Sequence, residues 1–270
     1  MDSLHEKFND LQNRLLSMQS VAVAFSGGVD STFLLKTAHD VLDDRAMAVT
    51  AVSCFLPECE LAEASEFCKA AGIRQTVVTI QPLAVPGIRE NPADRCYLCK
   101  HAIFERLWQI TRNSGFLTLA EGSNTDDEND YRPGMIAVKE LAVASPLRDA
   151  GLTKADIRIL SRELSLPTWD KPSLACLASR FVYGEALEEE KLLMVDRAEH
   201  FLRNLGFRQV RVRVHGRIAR IELLPADFLT AINESCRESI CMELKRLGFD
   251  YVTLDLTGYR TGSMNEVLKK

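Results

Sequence analysis

One stretch constrains the fold more than any other: Val21-Ala22-Val23-Ala24-Phe25-Ser26-Gly27-Gly28-Val29-Asp30-Ser31-Thr32. Its continuous apolar run predicts a strand buried on both faces, the kind found in parallel sheets covered by helices. The paired glycines turn the chain tightly and let backbone N–H groups approach an anion. A helix predicted over 32–41 adds its dipole and its unpaired N–H groups. Ser26, Ser31 and Thr32 add hydroxyls. The whole suits a phosphate or pyrophosphate, although a plain Gly-Gly turn with a serine cap is the structural alternative. With no lysine in the turn and no third glycine, it is neither a Walker A loop nor the dinucleotide fingerprint.

The rest of the chain fits such a sheet. Leu4, Phe8, Leu11, Leu15 and Met18 recur at helical spacing over 4–18. Strands are predicted over 47–55, 75–80 and 116–120, with helices over 58–71 and 97–113 between them. That alternation predicts an α/β fold, a doubly wound and mostly parallel sheet. The polar stretch 121–134 follows a predicted strand end, where open α/β sheets place ligands. Thr153 caps a predicted helix over 153–164, with Asp156 three residues on. After about 185 the pattern changes to helix (188–205), hairpin strands (209–214 and 218–223), helix (225–247) and strand (251–256). We therefore expect a domain over 1–184 and a small α+β domain over 185–270, which suits 270 residues.

The 33 basic and 38 acidic residues leave a net charge of −5, against a globally basic surface for nucleic acid. No apolar run approaches the ~18 residues of a membrane span, and the polar N-terminus predicts a cytoplasmic chain. In a reducing compartment the eight cysteines are expected as free thiols, ligands or reactive groups.

The string Ser26-Gly27-Gly28-Val29-Asp30-Ser31 resembles the PP-loop of the ATP pyrophosphatase superfamily, whose domains are adenine nucleotide alpha hydrolase-like. The resemblance implies that Ser26, Gly27, Gly28, Asp30 and Ser31 bind ATP, with magnesium. It also implies attack at the α phosphorus and release of pyrophosphate into the loop. Asp30 is expected near the metal or the phosphates.

Cys96-Tyr97-Leu98-Cys99 opens a predicted helix, where thiolates are favoured. One such pair cannot close a four-ligand zinc site. With Cys176, the pair could hold a four-iron, four-sulfur (4Fe-4S) cluster that leaves one iron open. Alternatively all three are small buried hydrophobes, the reading taken for Cys54, Cys59, Cys68, Cys236 and Cys241. Arg211 and Arg213 share one strand face and suit a phosphate, or else form a solvated face. Asp127, Glu128, Glu199 and Glu222 are metal candidates or solvated acids, and His215 is expected at the surface.

Nearly the full length resembles the LarE family of ATP-dependent sulfur transferases, which help build the nickel-pincer nucleotide cofactor of lactate racemase. The resemblance runs through Asn91-Pro92-Ala93-Asp94-Arg95-Cys96, Asp127 to Gly134, Lys171-Pro172-Ser173, Cys176 to Arg180, Val210 to Arg213, Ile218 to Leu223, Tyr251 to Leu256 and Gly258-Tyr259-Arg260. It implies adenylation of a carboxylate on a pyridinium dicarboxylate mononucleotide, then sulfur transfer to give a thiocarboxylate. Arg211, Arg213 and Ser179 would hold the substrate phosphate. One branch of the family sacrifices a single cysteine, here in the segment of Cys176; another uses three cysteines and a cluster. Having Cys96 and Cys99 as well as Cys176, this chain resembles the cluster branch. The resemblance also implies a homo-oligomer and a downstream nickel-insertion protein as partner. Two rivals share parts of the pattern: a tRNA-thiolating PP-loop enzyme, and a non-catalytic nucleotide- and cluster-binding assembly protein.

Overall fold

A computed structural model describes residues 3–129, 133–172 and 175–260, apart from the side chains of Glu58, Glu128 and Asn129. The motif residues Asp130, Tyr131, Arg132 and Ser173 lie outside the described residues, as does any ligand role for the Glu128 side chain. The chain divides into two compact units: Met1–Ser53 with Glu58–Val85 and Asp94–Ser173, and Cys54–Pro57 with Pro86–Ala93 and Leu174–Lys270.

The first unit is built as α1 (Ser3–Ser17), β1 (Val21–Ala24), α2 (Val29–Leu42), β2 (Ala46–Val52), α3 (Glu58–Ala71), β3 (Gln75–Thr79), α4 (Arg95–Asn113), β4 (Thr118–Ala120), α5 (Gly134–Glu140), α6 (Pro146–Asp149) and α7 (Lys154–Glu163). Its four strands are parallel and ordered β3-β2-β1-β4. The alternation of each strand explains the apolar run. Val21 and Val23 of β1 and Ala46 and Ala48 of β2 pack with Leu11, Phe33, Leu34 and Leu160 on one side. Ala22, Met47 and Val49 pack with Phe104, Leu107 and Val138 on the other. Both faces are buried, so neither could carry polar residues. The parallel α/β fold predicted from the alternation is what forms.

Thr153 and Asp156 make a reciprocal capping box at the start of α7, despite the shorter aspartate. Asp156 N donates to Thr153 Oγ1 at 3.1 Å and Thr153 N donates to Asp156 Oδ2 at 3.0 Å. Burial pushes the Asp156 carboxyl up, but hydrogen bonds from Lys7 and Thr153 outweigh it and hold the pKa below the usual value.

The second unit contains α8 (Glu189–Asn204), β5 (Val210–His215), β6 (Ile218–Leu223), α9 (Phe228–Ile232), α10 (Glu234–Leu247) and β7 (Tyr251–Leu254). Its sheet has the order β5-β6-β7, with β5 and β6 antiparallel and β6 and β7 parallel. Val210, Val212 and Val214 bury one face of β5, and Leu192, Val195 and Leu202 of α8 are buried with them. The single helix expected over 225–247 is broken. Asn233 is extended (φ −54°, ψ 141°), and its side chain accepts from Ser235 N to start α10 afresh. Among the described residues no helix is long and apolar enough to cross a membrane.

Candidate active site

Strand order reverses beside β1, and the carboxyl ends of β1 and β4 are the usual ligand position in such sheets. Residues 25–28 leave β1 there and residues 121–124 leave β4. Gly27 is at φ +74°, and a Cβ on it would lie 3.2 Å from the Ala64 Cβ. Gly122 faces the loop so closely that a Cβ would lie 3.1 Å from Ser31 N and 3.2 Å from the Asp30 Cβ. Side-chain hydroxyls knit the turn: Ser26 Oγ lies 3.1 Å from Ser31 Oγ, which donates to Gly28 O at 3.2 Å. Gly28 caps α2 with no side-chain bond to the helix end. The loop thus keeps backbone donors at a helix N-terminus, as anion binding requires. Thr32 departs from expectation: it is fully buried and its hydroxyl is sealed in the core, so it offers no donor to a ligand.

Two cations reach this loop from far along the chain, and sequence reasoning did not assign either. Lys154 at the start of α7 pairs with Asp30, whose other oxygen accepts from Asn124 Nδ2 at 3.3 Å. Lys171 Nζ donates to Gly27 O at 3.1 Å and to Glu63 Oε2 at 2.7 Å, and lies 3.5 Å from the buried Glu60 carboxylate. The missing Walker lysine was the one available signal, because a triphosphate needs positive charge from somewhere. Asp127 supports the neighbouring loop, where its Oδ2 accepts from Asn124 N at 3.0 Å.

Cys96 and Cys99 stand three residues apart on the first turns of α4, hence on one face. Cys96 is exposed and Cys99 half-buried, so the reading of a buried hydrophobic pair is overturned for Cys96. Arg95 Nη2 lies 3.9 Å from Cys96 Sγ. Cys176, in the second unit, is also exposed. Of the five cysteines expected as buried hydrophobes, Cys68 is buried, whereas Cys54, Cys59, Cys236 and Cys241 are half-buried. Burial, then the charge of Glu189, pushes the Cys54 thiol up to about 11. Burial alone does the same for Cys68. Within each unit, no group of three cysteine, histidine, aspartate or glutamate side chains among the described residues could hold a metal ion.

In the second unit Arg211 and Arg213 lie on the face of β5 opposite its valines, 3% and 5% exposed. This rules out a solvated face. Arg213 donates to Ser179 O at 3.0 Å and to Glu222 Oε2 at 2.8 Å. Arg211 lies over the Tyr259 ring, 5.3 Å from its centroid. Burial, followed by the charge of Arg180, lowers the Arg211 pKa. Glu199 and Glu222 are wholly buried rather than solvated. Glu199 pairs with Arg180 at 2.8 Å and accepts from Val212 N at 3.0 Å, which opposes the metal-ligand role considered for it. His215 is exposed, as expected, and burial of part of its ring lowers its pKa.

Residues 5–90, which include the loop, match the NAD synthase family. The chain is 42% identical to an uncharacterised protein of Synechocystis sp., over 99% of this chain and 100% of that one. It is 40% identical to the pyridinium-3,5-bisthiocarboxylic acid mononucleotide synthase of Lactiplantibacillus plantarum, over 100% of this chain and 98% of the synthase. It is also 29% identical to the argininosuccinate synthase of Natronomonas pharaonis, over 63% of this chain and 46% of that protein. The glycine-rich loop follows the central strand β1 of a parallel sheet, and the likeness to the synthase runs through both units, so the chain belongs to the LarE family of ATP-dependent sulfur transferases within the PP-loop superfamily.

Proposed function

We propose that this protein adenylates a ring carboxylate of a pyridinium dicarboxylate mononucleotide and converts it to a thiocarboxylate. The observation that carries the proposal is the 40% identity, over both chains, to an enzyme named for the bisthiocarboxylic acid product. The loop geometry supports the first half. Backbone N–H groups of Gly27 and Gly28, with Ser26 and Ser31, receive the β and γ phosphates at the start of α2. Lys154 and Lys171 exchange their carboxylate partners for phosphate oxygens, supplying the charge that the loop lacks. Asp30 is the carboxylate at the loop and fits magnesium, a hard cation that takes one or two carboxylates along with phosphate oxygens. Magnesium would neutralise the departing pyrophosphate. A substrate carboxylate oxygen attacks the α phosphorus, the bond to the β-phosphate oxygen breaks, and pyrophosphate leaves. The acyl carbon now carries AMP as leaving group. A sulfur nucleophile attacks that carbon and AMP departs.

In the second unit, Arg211, Arg213 and Ser179 hold the substrate phosphate in this reading. The burial of the two arginines supports it, since a guanidinium binds phosphate most strongly away from water. For the sulfur source, we assign Cys96, Cys99 and Cys176 as thiolate ligands of a four-iron, four-sulfur cluster. Exposure of Cys96 and Cys176, and the shared helix face of Cys96 and Cys99, fit soft ligands open to an incoming group. When bound, the cluster would supply a sulfide at its open iron. Exposure of Cys176 also favours a second reading, in which its own sulfur attacks the acyl-adenylate. Loss of the Cα proton and cleavage of Cβ–S then leave thiocarboxylate and dehydroalanine. The proposal includes a homo-oligomer, a reducing cytoplasmic setting and delivery of product to a nickel-insertion protein.

Anaerobic purification, with iron and sulfide analysis of wild type and of Cys96→Ala, Cys99→Ala and Cys176→Ala, tests the ligand set. Iron is expected to fall in all three variants; unchanged iron rejects the cluster. Pyrophosphate release that depends on the mononucleotide tests adenylation, and its absence rejects the function.

A further inference from the structure

Cys176 combines an exposed side chain with a backbone held unusually firmly. Its carbonyl oxygen accepts three hydrogen bonds: from Ser179 N at 2.9 Å, Ser179 Oγ at 2.7 Å and Arg180 Nη1 at 3.0 Å. Arg180 Nη1 also donates to Ala175 O and to Ser179 Oγ. The Arg180 side chain is fully buried, and its remaining edge is a two-bond fork on Glu199, with Nε to Oε1 at 2.8 Å and Nη2 to Oε2 at 2.9 Å. Glu199 Oε1 in turn accepts from Val212 N, the residue between Arg211 and Arg213. The same charge pair therefore grips the backbone beneath the thiol and the strand that carries the two arginines.

A buried ion pair adds little to stability compared with apolar residues of the same volume, because desolvating both charges offsets their attraction. What a planar, five-donor guanidinium does supply is fixed geometry. We infer that Arg180, held by Glu199, is a positioning residue that fixes the Cys176 backbone so that its sulfur is aimed at the substrate held by Arg211 and Arg213. This rests on the reading that Cys176 takes part in sulfur transfer, whether as ligand or as donor. A group that only aims Cys176 acts after adenylation, so it should affect one half-reaction and spare the other.

The test uses Arg180→Lys, which keeps the charge but loses the fork, and Arg180→Gln, which loses the charge as well; both leave Glu199 bonded to Val212 N and beside Arg203. Circular dichroism checks the fold. In each variant the pyrophosphate burst with ATP and the mononucleotide should stay within threefold of wild type. Thiocarboxylate formation should fall at least thirtyfold in kcat, with KM for the mononucleotide within threefold. Equal loss of both half-reactions, or loss of neither, overturns the inference. A wild type that releases no pyrophosphate rejects the proposed function instead. Independently of turnover, iodoacetamide labelling of Cys176 relative to Cys96, read by mass spectrometry, should change at least fivefold in both variants. An unchanged ratio also overturns the inference.

Discussion

The chain has two regions suited to anions, and they are built on opposite plans. The loop after β1 is made of backbone and hydroxyl donors, and its cations, Lys154 and Lys171, come from elsewhere in the sequence and rest on carboxylates near the surface. The β5 face is made of buried guanidinium groups and borrowed counter-charges: Arg213 pairs with Glu222 of β6, and Arg180, from outside the strand, pairs with Glu199 of α8. A site of backbone donors needs only the right turn and a helix behind it. A site of buried arginines needs counter-charges from other elements before it can exist at all. The first should tolerate loss of a cation with its fold intact. The second should not tolerate loss of a carboxylate.

The largest expected effect is Glu222→Ala. Glu222 is 0% exposed and pairs with both Arg213 and Arg220, so its removal leaves two cations without their shared carboxylate. Stability should fall by about 3–5 kcal/mol in urea unfolding, and a loss under ~1 kcal/mol would dissolve the contrast. Gly27→Ala comes next. At φ +74° and with the Ala64 Cβ in the way, it should cost about 1–3 kcal/mol and lower pyrophosphate release at least tenfold. Full activity would show that the turn does not hold phosphate.

Asp156→Asn, away from both sites, should cost about 1 kcal/mol by weakening the capping box. Because the Asp156 pKa is depressed on folding, its contribution is present above the ordinary carboxylate pKa and fades as pH falls through the folded value. The gap in melting temperature between wild type and variant should therefore narrow in acid; a constant gap would mean that ionisation of Asp156 contributes nothing. Lys154→Ala should have the smallest effect on folding, under ~1 kcal/mol, since the Lys154–Asp30 pair is partly solvated. It should nevertheless raise KM for ATP about tenfold. A variant with unchanged KM removes Lys154 from the phosphate site.

Much of the first region is legible in the sequence. Local chemistry fixes it: an apolar run long enough for a strand, glycines where the turn needs φ above zero, and serines that close it. The Thr153 cap is legible for the same reason. The long C-terminal helix is not, because apolar spacing continues across Asn233 and only the local backbone shows the break. Nor is the burial of the Thr32 hydroxyl, because sequence spacing does not reveal which side of the helix faces the core there.

By itself the sequence determined the parallel α/β sheet, the place of the loop and the pairing of Cys96 with Cys99 on one helix face, because each depends on residues within a few positions of one another. Tertiary structure alone decided which cations serve the loop, that Arg211 and Arg213 are buried, and that Arg180 holds the Cys176 backbone. Lys154 lies 124 residues from Asp30, and Arg180 lies 19 from Glu199. Charges so far apart in the chain meet only when packing brings together the elements that carry them, with water still present at the first pair and excluded from the second.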